Sequence, residues 1–241
     1  MLENLKHSYV DLDDPRRLEF SYVRWIGDAI DGMAPAGEPL DGVFLGGAGF
    51  TLPRYLLATR RGSRARVHEV DGALVELARD RLGLRTGRDL RVVVGDARVT
   101  LAGEATASAD LLVGDAFGAR AVPWHLSTVE FAREIRRVLR PGGVYALNVI
   151  DQPPLGLARA EVATLRAVFA DVALVAEPGV SGRPAGGNLI LLASETALPR
   201  GVRTTSRDAR TYDRPAAARF AAGAEPLRDM DAPADQLLSR P

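Results

Sequence analysis

The sequence predicts an α/β protein: a mostly parallel seven-stranded sheet with an antiparallel last strand and helices on both faces. Three observations carry this. Short apolar runs alternate with stretches of helical periodicity from Val43 to Phe169. The first run, Val43-Phe44-Leu45, empties into Gly46-Gly47-Ala48-Gly49 ahead of a helix-like stretch from Leu52 to Thr59. The last two runs, Val172–Ala176 and Asn188–Ala193, are joined only by Pro178–Gly187, too short for a crossover helix, so they should pair antiparallel.

In chain order, Ser8-Tyr9-Val10 reads as a short strand. Leu18, Phe20, Trp25, Ile26 and Ile30 then recur at spacings that fit an amphipathic helix from Pro15 to Met33. Pro15 would sit in its first turn, with Asp11, Asp13 and Asp14 beside the positive end of the dipole. Ala34–Pro39 is a linker rich in proline and glycine. Arg64–Asp71 reads as the second strand of the core, and Leu74, Leu77, Ala78 and Leu82 make the apolar stripe of the helix after it. Leu90–Val94 and Asp110–Val113 are further strands. A helix from Thr128 to Leu139 stops at Arg140-Pro141-Gly142-Gly143 before the strand Val144–Val149. Leu155–Phe169 is helical. From Thr196 the composition shifts to Arg, Ala, Pro and Asp; Arg214–Ala222 reads as helix, in a tail expected to pack on the core. The division is 1–39, a strand-plus-helix segment; 40–195, a nucleoside-binding domain; and 196–241, the tail.

Composition removes several functions. Acidic and basic residues balance at 31 each, which argues against a polyanionic partner such as nucleic acid. Cysteine is absent, so disulfides, thiolate catalysis and cysteine-bound metals are excluded, compatible with a reducing cytoplasm. Lys6 is the only lysine, leaving a Schiff-base cofactor almost nowhere to attach. No apolar stretch is long enough to cross a bilayer and the N-terminus does not read as a signal peptide, so a cytoplasmic protein without a membrane partner is expected. His7, His68 and His125 show no ligand spacing, and no metal is expected. Arg60, Arg61, Arg64 and Arg66 read as a solvated rim.

Candidate site residues cluster at strand ends. A bare glycine turn lets backbone approach a ligand, while the following helix offers free N–H groups. Glu69, about twenty residues after the last glycine, stands where doubly wound sheets place an acid for ribose hydroxyls. The third strand ends in Gly95-Asp96-Ala97 and the fourth in Gly114-Asp115-Ala116, at the edge where open α/β sheets bind ligands. Each acid also has a structural reading: Asp96 and Asp115 as turn residues, Glu69 as a surface acid. Asp71 reads as the cap of the helix that begins near Gly72. Tyr22 and Trp25 read as core residues of the first helix, with Tyr22 also a candidate on the substrate side. His125, a short loop beyond Asp115, is a candidate lid residue.

A parallel sheet closed by an antiparallel strand is the layout of the Rossmann-like class I methyltransferase fold. Within it the chain resembles the spermidine synthase (polyamine aminopropyltransferase) family, specifically its shorter spermidine synthase-like bacterial members. The carriers are Ser8–Pro15, Glu19-Phe20-Ser21-Tyr22, Gly46-Gly47-Ala48-Gly49, Glu69-Val70-Asp71, Gly95-Asp96-Ala97, Asp115 and the closing Asp231–Leu238. The resemblance implies that Glu69 holds a ribose, with Val70 beside it. Asp96, with Ala97, faces an adenine amino group, and the glycine turn underlies a thioether chain. Asp115 matches the first of two catalytic acids that take a proton from an amine as it displaces thioether from decarboxylated S-adenosylmethionine. A homodimer is implied as well.

The chain also departs from the family pattern. Gly118 stands where the second acid belongs, Gly49 replaces an aspartate, and Tyr22-Val23-Arg24 replaces Tyr-His-Glu. The N-terminal β-domain of full-length members reads as cut down to a few residues. A site with fewer acids attracts a diamine less, and Arg24 would repel it. Three readings stay open: aminopropyl transfer to a small amine, S-adenosylmethionine-dependent methyl transfer to a small acceptor, and a non-catalytic nucleoside binder.

Overall fold

The structure, a computed structural model, describes residues 8–118, 122–182 and 186–230. The closing stretch Asp231–Leu238, Lys6 and His7 lie outside the described residues. Eight strands form one sheet: β1 (Asp41–Leu45), β2 (Arg64–Glu69), β3 (Leu90–Val94), β4 (Ala109–Gly114), β5 (Leu139–Asp151), β6 (Asp171–Ala176), β7 (Gly187–Ser194) and β8 (Arg210–Tyr212). They lie in the order β3-β2-β1-β4-β5-β7-β6-β8. β1 to β5 are parallel. β7 pairs antiparallel with both β5 and β6, as the short Pro178–Gly187 connection requires. The seven expected strands are joined by an eighth, the three-residue edge strand β8, paired antiparallel with β6. It arises in the Arg- and Asp-rich tail, where no apolar alternation announces it.

The winding reverses between β1 and β4, which opens a crevice at their C-terminal ends. Alternate residues feed two cores. Val43 and Leu45 join Leu112 and Leu147 on one face; Phe44 joins Val67 and Val113 on the other. Helices α1 (Ser21–Gly32), α2 (Thr51–Thr59) and α3 (Gly72–Arg81) cover the Phe44 face. α4 (Ala97–Thr100), α5 (Val129–Val138), α6 (Gly156–Arg166) and α7 (Arg214–Phe220) cover the other. Asp71 caps α3 as expected, accepting from the N–H groups of Ala73 and Leu74, a contact worth about 1 kcal/mol.

The N-terminal expectations need correction. α1 begins at Ser21, not Pro15, because the preceding acids fold back on themselves. Asp11 Oδ1 accepts the N–H groups of Asp13 and Asp14, each at 3.0 Å, and Arg17 N–H donates to the Asp14 carbonyl at 3.0 Å, so Pro15 lies in a turn and not in a first helical turn. Ser8-Tyr9-Val10 is not a strand. It is an extended strap pinned to the glycine turn, with Gly49 N–H donating to Ser8 Oγ at 3.1 Å and Thr51 Oγ1 donating to the Tyr9 carbonyl at 2.6 Å.

Two of the rim arginines are not rim. Arg60 is 2% exposed. Its guanidinium donates to the carbonyls of Ile30, Asp31, Ala34, Pro35 and Glu38, gathering the unpaired C-terminal carbonyls of α1 and the linker after it. Arg66 is half-buried and paired with Glu104 at 2.7 Å. Arg61 and Arg64 remain exposed. Trp25 is a core residue, its indole N–H donating to Asp208 at 3.1 Å.

Candidate functional site

Strand register builds the site. The ladders continue one residue past the strands: Gly46 N–H donates to the His68 carbonyl (2.8 Å), Asp115 N–H to that of Leu45 (2.9 Å), and Gly95 N–H to that of Glu69 (2.9 Å). Parallel pairing sets Leu45 level with His68 and Gly114, and Gly114 level with Leu147. One rim of the sheet therefore presents, in order, Asp96, Glu69, the glycine turn, Asp115 and Asn148. The three acids singled out from sequence converge at a single edge.

Glu69 is buried and holds the turn. Its Oε2 accepts from Gly47 N–H at 2.7 Å and Ala48 N–H at 3.3 Å, and its Oε1 from Asp71 N–H at 2.9 Å. Gly46 has φ +90, and a Cβ there would fall 2.5 Å from the Asp115 carbonyl oxygen. A Cβ on Gly49 would lie 2.5 Å from Ser8 Oγ, so the strap occupies the space a side chain there would need. These glycines answer first to the chain's own packing. Ala48 (φ 43) and Phe50 (φ 59) adopt left-handed conformations that cost a non-glycine residue about 1–2 kcal/mol each, strain concentrated in this one turn.

On the far side of Glu69, Val70 is 69% exposed beside the rim, while Ala97 is buried as the first residue of α4. Asp96 caps α4 through Arg98 N–H at 2.8 Å, and its Oδ2 lies 2.9 Å from His125 Nε2. His125, expected at the mouth, thus reaches the rim directly. Arg98 fixes this corner, donating to the His125 carbonyl (2.9 Å) and to Thr128 Oγ1 (3.1 Å) while pairing with Asp229. Among the described residues there is no His, Cys, Asp and Glu cluster that could hold a metal.

Asp115 sits below the surface where the winding reverses. Its Oδ1 accepts from Asn148 Nδ2 at 2.8 Å, and Asn148 Oδ1 in turn accepts from Asn188 Nδ2 at 3.0 Å. Burial pushes its carboxyl up to about 7, against a lowering by the Asn148 hydrogen bond. Tyr22 is close enough for the Asp115 charge, together with burial, to push its phenol up. Asp115, Tyr22, Tyr9, Glu19, Phe20 and the Gly46–Ala48 turn line a narrow cleft with a cavity volume of about 30 Å³. Arg24 does not line it. Its guanidinium turns to Ser21 Oγ (2.9 Å) and Asp208 (3.3 Å), so the expected repulsion of a cationic substrate by Arg24 is withdrawn. Gly118 is exposed and does not line the cleft.

Sequence reasoning missed Asn148, although a lone amide in the apolar run Val144–Ile150 was a usable signal. It also missed the buried network beneath the rim. There His68 Nδ1 lies 2.8 Å from Thr100 Oγ1 and Nε2 lies 3.1 Å from Glu104 Oε1. His68 does alternate away from Glu69, but into this network.

A Rossmann-like sheet with reversed closing strands and a half-buried aspartate at the winding reversal defines a protein of the class I methyltransferase-like fold. No family model matches the chain. A polyamine aminopropyltransferase of Vibrio vulnificus (strain CMCP6) is 30% identical over 193 residues, covering 79% of this chain and 61% of the relative. The chain thus spans about three fifths of that relative's length. The crystal structure of a probable spermidine synthase from Corynebacterium glutamicum ATCC 13032 is 30% identical with TM-score 0.81, covering 94% of this chain and 85% of that one. A spermidine synthase in complex with the transition-state analogue AdoDATO shares the fold at 18% identity and TM-score 0.62, covering 92% of this chain and 73% of that one. The chain belongs to the spermidine synthase (polyamine aminopropyltransferase) family.

Proposed function

We propose that the chain transfers an aminopropyl group from decarboxylated S-adenosylmethionine to a small amine. The observation that carries the reading is Asp115: a half-buried carboxylate with no cationic partner among the described residues, facing the cleft beside the glycine turn, with its proton affinity raised toward neutrality. In this reading Glu69 takes the ribose, Asp96 faces the adenine amino group, and the Gly46–Ala48 turn underlies the thioether. The amine nitrogen attacks the methylene carbon next to the sulfonium. A C–N bond forms, the C–S bond breaks, and its electron pair stays on sulfur as neutral methylthioadenosine. The proton lost from nitrogen passes to the Asp115 carboxylate, whose raised pKa suits a base near pH 7.

Methyl transfer from S-adenosylmethionine is the second reading, favoured by Gly118 where relatives carry a second acid. Against it, no arginine or lysine lines the cleft among the described residues to receive the amino-acid carboxylate, while Asp115 would repel it. Incubation with each co-substrate and a panel of amines separates the two. Methylthioadenosine, together with an amine enlarged by one aminopropyl group, supports the proposal; S-adenosylhomocysteine from the carboxylated co-substrate replaces it with methyl transfer.

A further inference from the structure

We propose that the acceptor is a primary monoamine with an apolar or aromatic body, not a linear diamine, and that Arg17, between the N-terminal strap and α1, enforces the choice. This rests on the transfer reading and deepens it.

Among the described residues, two acids line the cleft, Asp115 within it and Glu19 on the strap side. They are not equivalent. Asp115 is hydrogen-bonded by a neutral amide and keeps its charge available for the reacting nitrogen. Glu19 is already engaged: its Oε2 accepts from Arg17 Nη2 at 3.1 Å. The same guanidinium reaches Asp11 Oδ2 at 3.3 Å and lies 5.4 Å from the centre of the Tyr9 ring. One arginine therefore neutralises the outer acid and covers an aromatic face that could otherwise receive a cation.

The walls between these points are mostly apolar. Phe20 stacks on Tyr22 at 6.1 Å and 14°, and Phe44, Leu52 and Val113 add apolar lining beside the hydroxyl residues Ser8 and Thr51. An amine entering with its nitrogen toward Asp115 lays its body along these rings. In a monoamine that body ends in carbon, which gains by leaving water. In a diamine it ends in a second ammonium, which would lose hydration against the rings and find the outer carboxylate, Glu19, already paired with the exposed Arg17. The transfer step is otherwise the same for both acceptors: one C–N bond made, one C–S bond broken, one proton taken by Asp115.

The test measures methylthioadenosine release from decarboxylated S-adenosylmethionine with phenethylamine, n-pentylamine and 1,4-diaminobutane, in wild type and Arg17→Gln. The expected result is a wild-type kcat/KM for phenethylamine or pentylamine at least about tenfold above that for the diamine. Arg17→Gln, which frees Glu19, should shrink that ratio by about tenfold, whereas Arg17→Lys, which keeps the cation, should retain the monoamine preference. A wild-type preference for the diamine overturns the inference. So does an unchanged ratio in an Arg17→Gln protein that melts at the wild-type temperature; should that variant not fold, the wild-type ratio decides alone. No release with any amine from a protein that binds the co-substrate overturns the transfer reading itself, and the inference with it.

Discussion

Glu69 and Asp115 stand on either side of the same glycine turn, at the ends of the two strands flanking β1, and the chain treats them in opposite ways. Glu69 accepts three backbone N–H groups, two of them from the turn. Asp115 meets one side-chain amide, and burial lifts its carboxyl to about 7. Three fixed donors make Glu69 a rigid acceptor that anchors the turn. A half-buried carboxyl with one neutral donor is poised to gain or lose a proton. Two acids a few residues from the same corner thus divide into one tied down by backbone donors and one whose carboxyl is lifted toward neutrality by loss of water.

The largest effect should come from removing the exchanging acid. Asp115→Asn is expected to lower kcat by about 10²–10⁴-fold, the range for loss of a general base, while affinity for decarboxylated S-adenosylmethionine stays within a few fold. Wild-type turnover in that variant would take Asp115 out of the mechanism. Glu69→Ala should show the reverse division. It leaves the Gly47 and Ala48 N–H groups without their acceptor, so co-substrate binding weakens at least about tenfold and the fold loses about 1–3 kcal/mol. Retained affinity in a calorimetric titration would show that Glu69 serves the turn only.

A smaller effect sharpens the account of Asp115. Because the base form must be ionised, kcat/KM should rise with pH through about 7. The Asn148 hydrogen bond favours the ionised carboxylate, so Asn148→Leu should move that rise to higher pH, with Asn188→Ala moving it less. A profile that keeps its midpoint in Asn148→Leu would contradict the relay.

Glu161 separates burial from function. It is buried on α6, with the Ser127 hydroxyl beside it, and burial pushes its carboxyl up to about 8, yet it does not line the cleft. Raised above its unfolded value, it keeps its proton in the folded state after the unfolded chain has lost it. Stability is therefore highest below the unfolded pKa and falls as pH rises toward about 8, by up to about 1.4 kcal/mol per pH unit. Glu161→Gln should flatten that slope in denaturant titrations at several pH values and leave the activity profile's midpoint in place. An unchanged slope would assign the pH dependence elsewhere.

The sheet was legible because its signals are local: apolar runs, glycine turns and a connection too short for a crossover. The acids at the strand ends were legible for the same reason, since parallel register carries every strand's C-terminal residue to one rim. What stayed hidden depends on partners distant in sequence. Arg60 belongs to a charged cluster by composition, but its ligands are five main-chain carbonyls between Ile30 and Glu38, which no residue type announces. The strap Ser8–Val10 has the composition of a strand, but it bonds to the glycine turn through Ser8 Oγ and the Tyr9 carbonyl, not through a ladder. β8 is three residues long in a polar tail, and its partner β6 lies more than thirty residues upstream. Arg24 looked like a charge in the cleft until Asp208, far along the chain, supplied its partner.

Isothermal titration of decarboxylated against carboxylated S-adenosylmethionine bears most directly on the central claim that the described lining of the cleft, with the Asp115 carboxylate and no basic residue, suits the decarboxylated co-substrate. The decarboxylated ligand should bind at least about tenfold more tightly, since no described basic residue of the cleft can receive the extra carboxylate. Equal or tighter binding of the carboxylated form, or no binding of either, would contradict it.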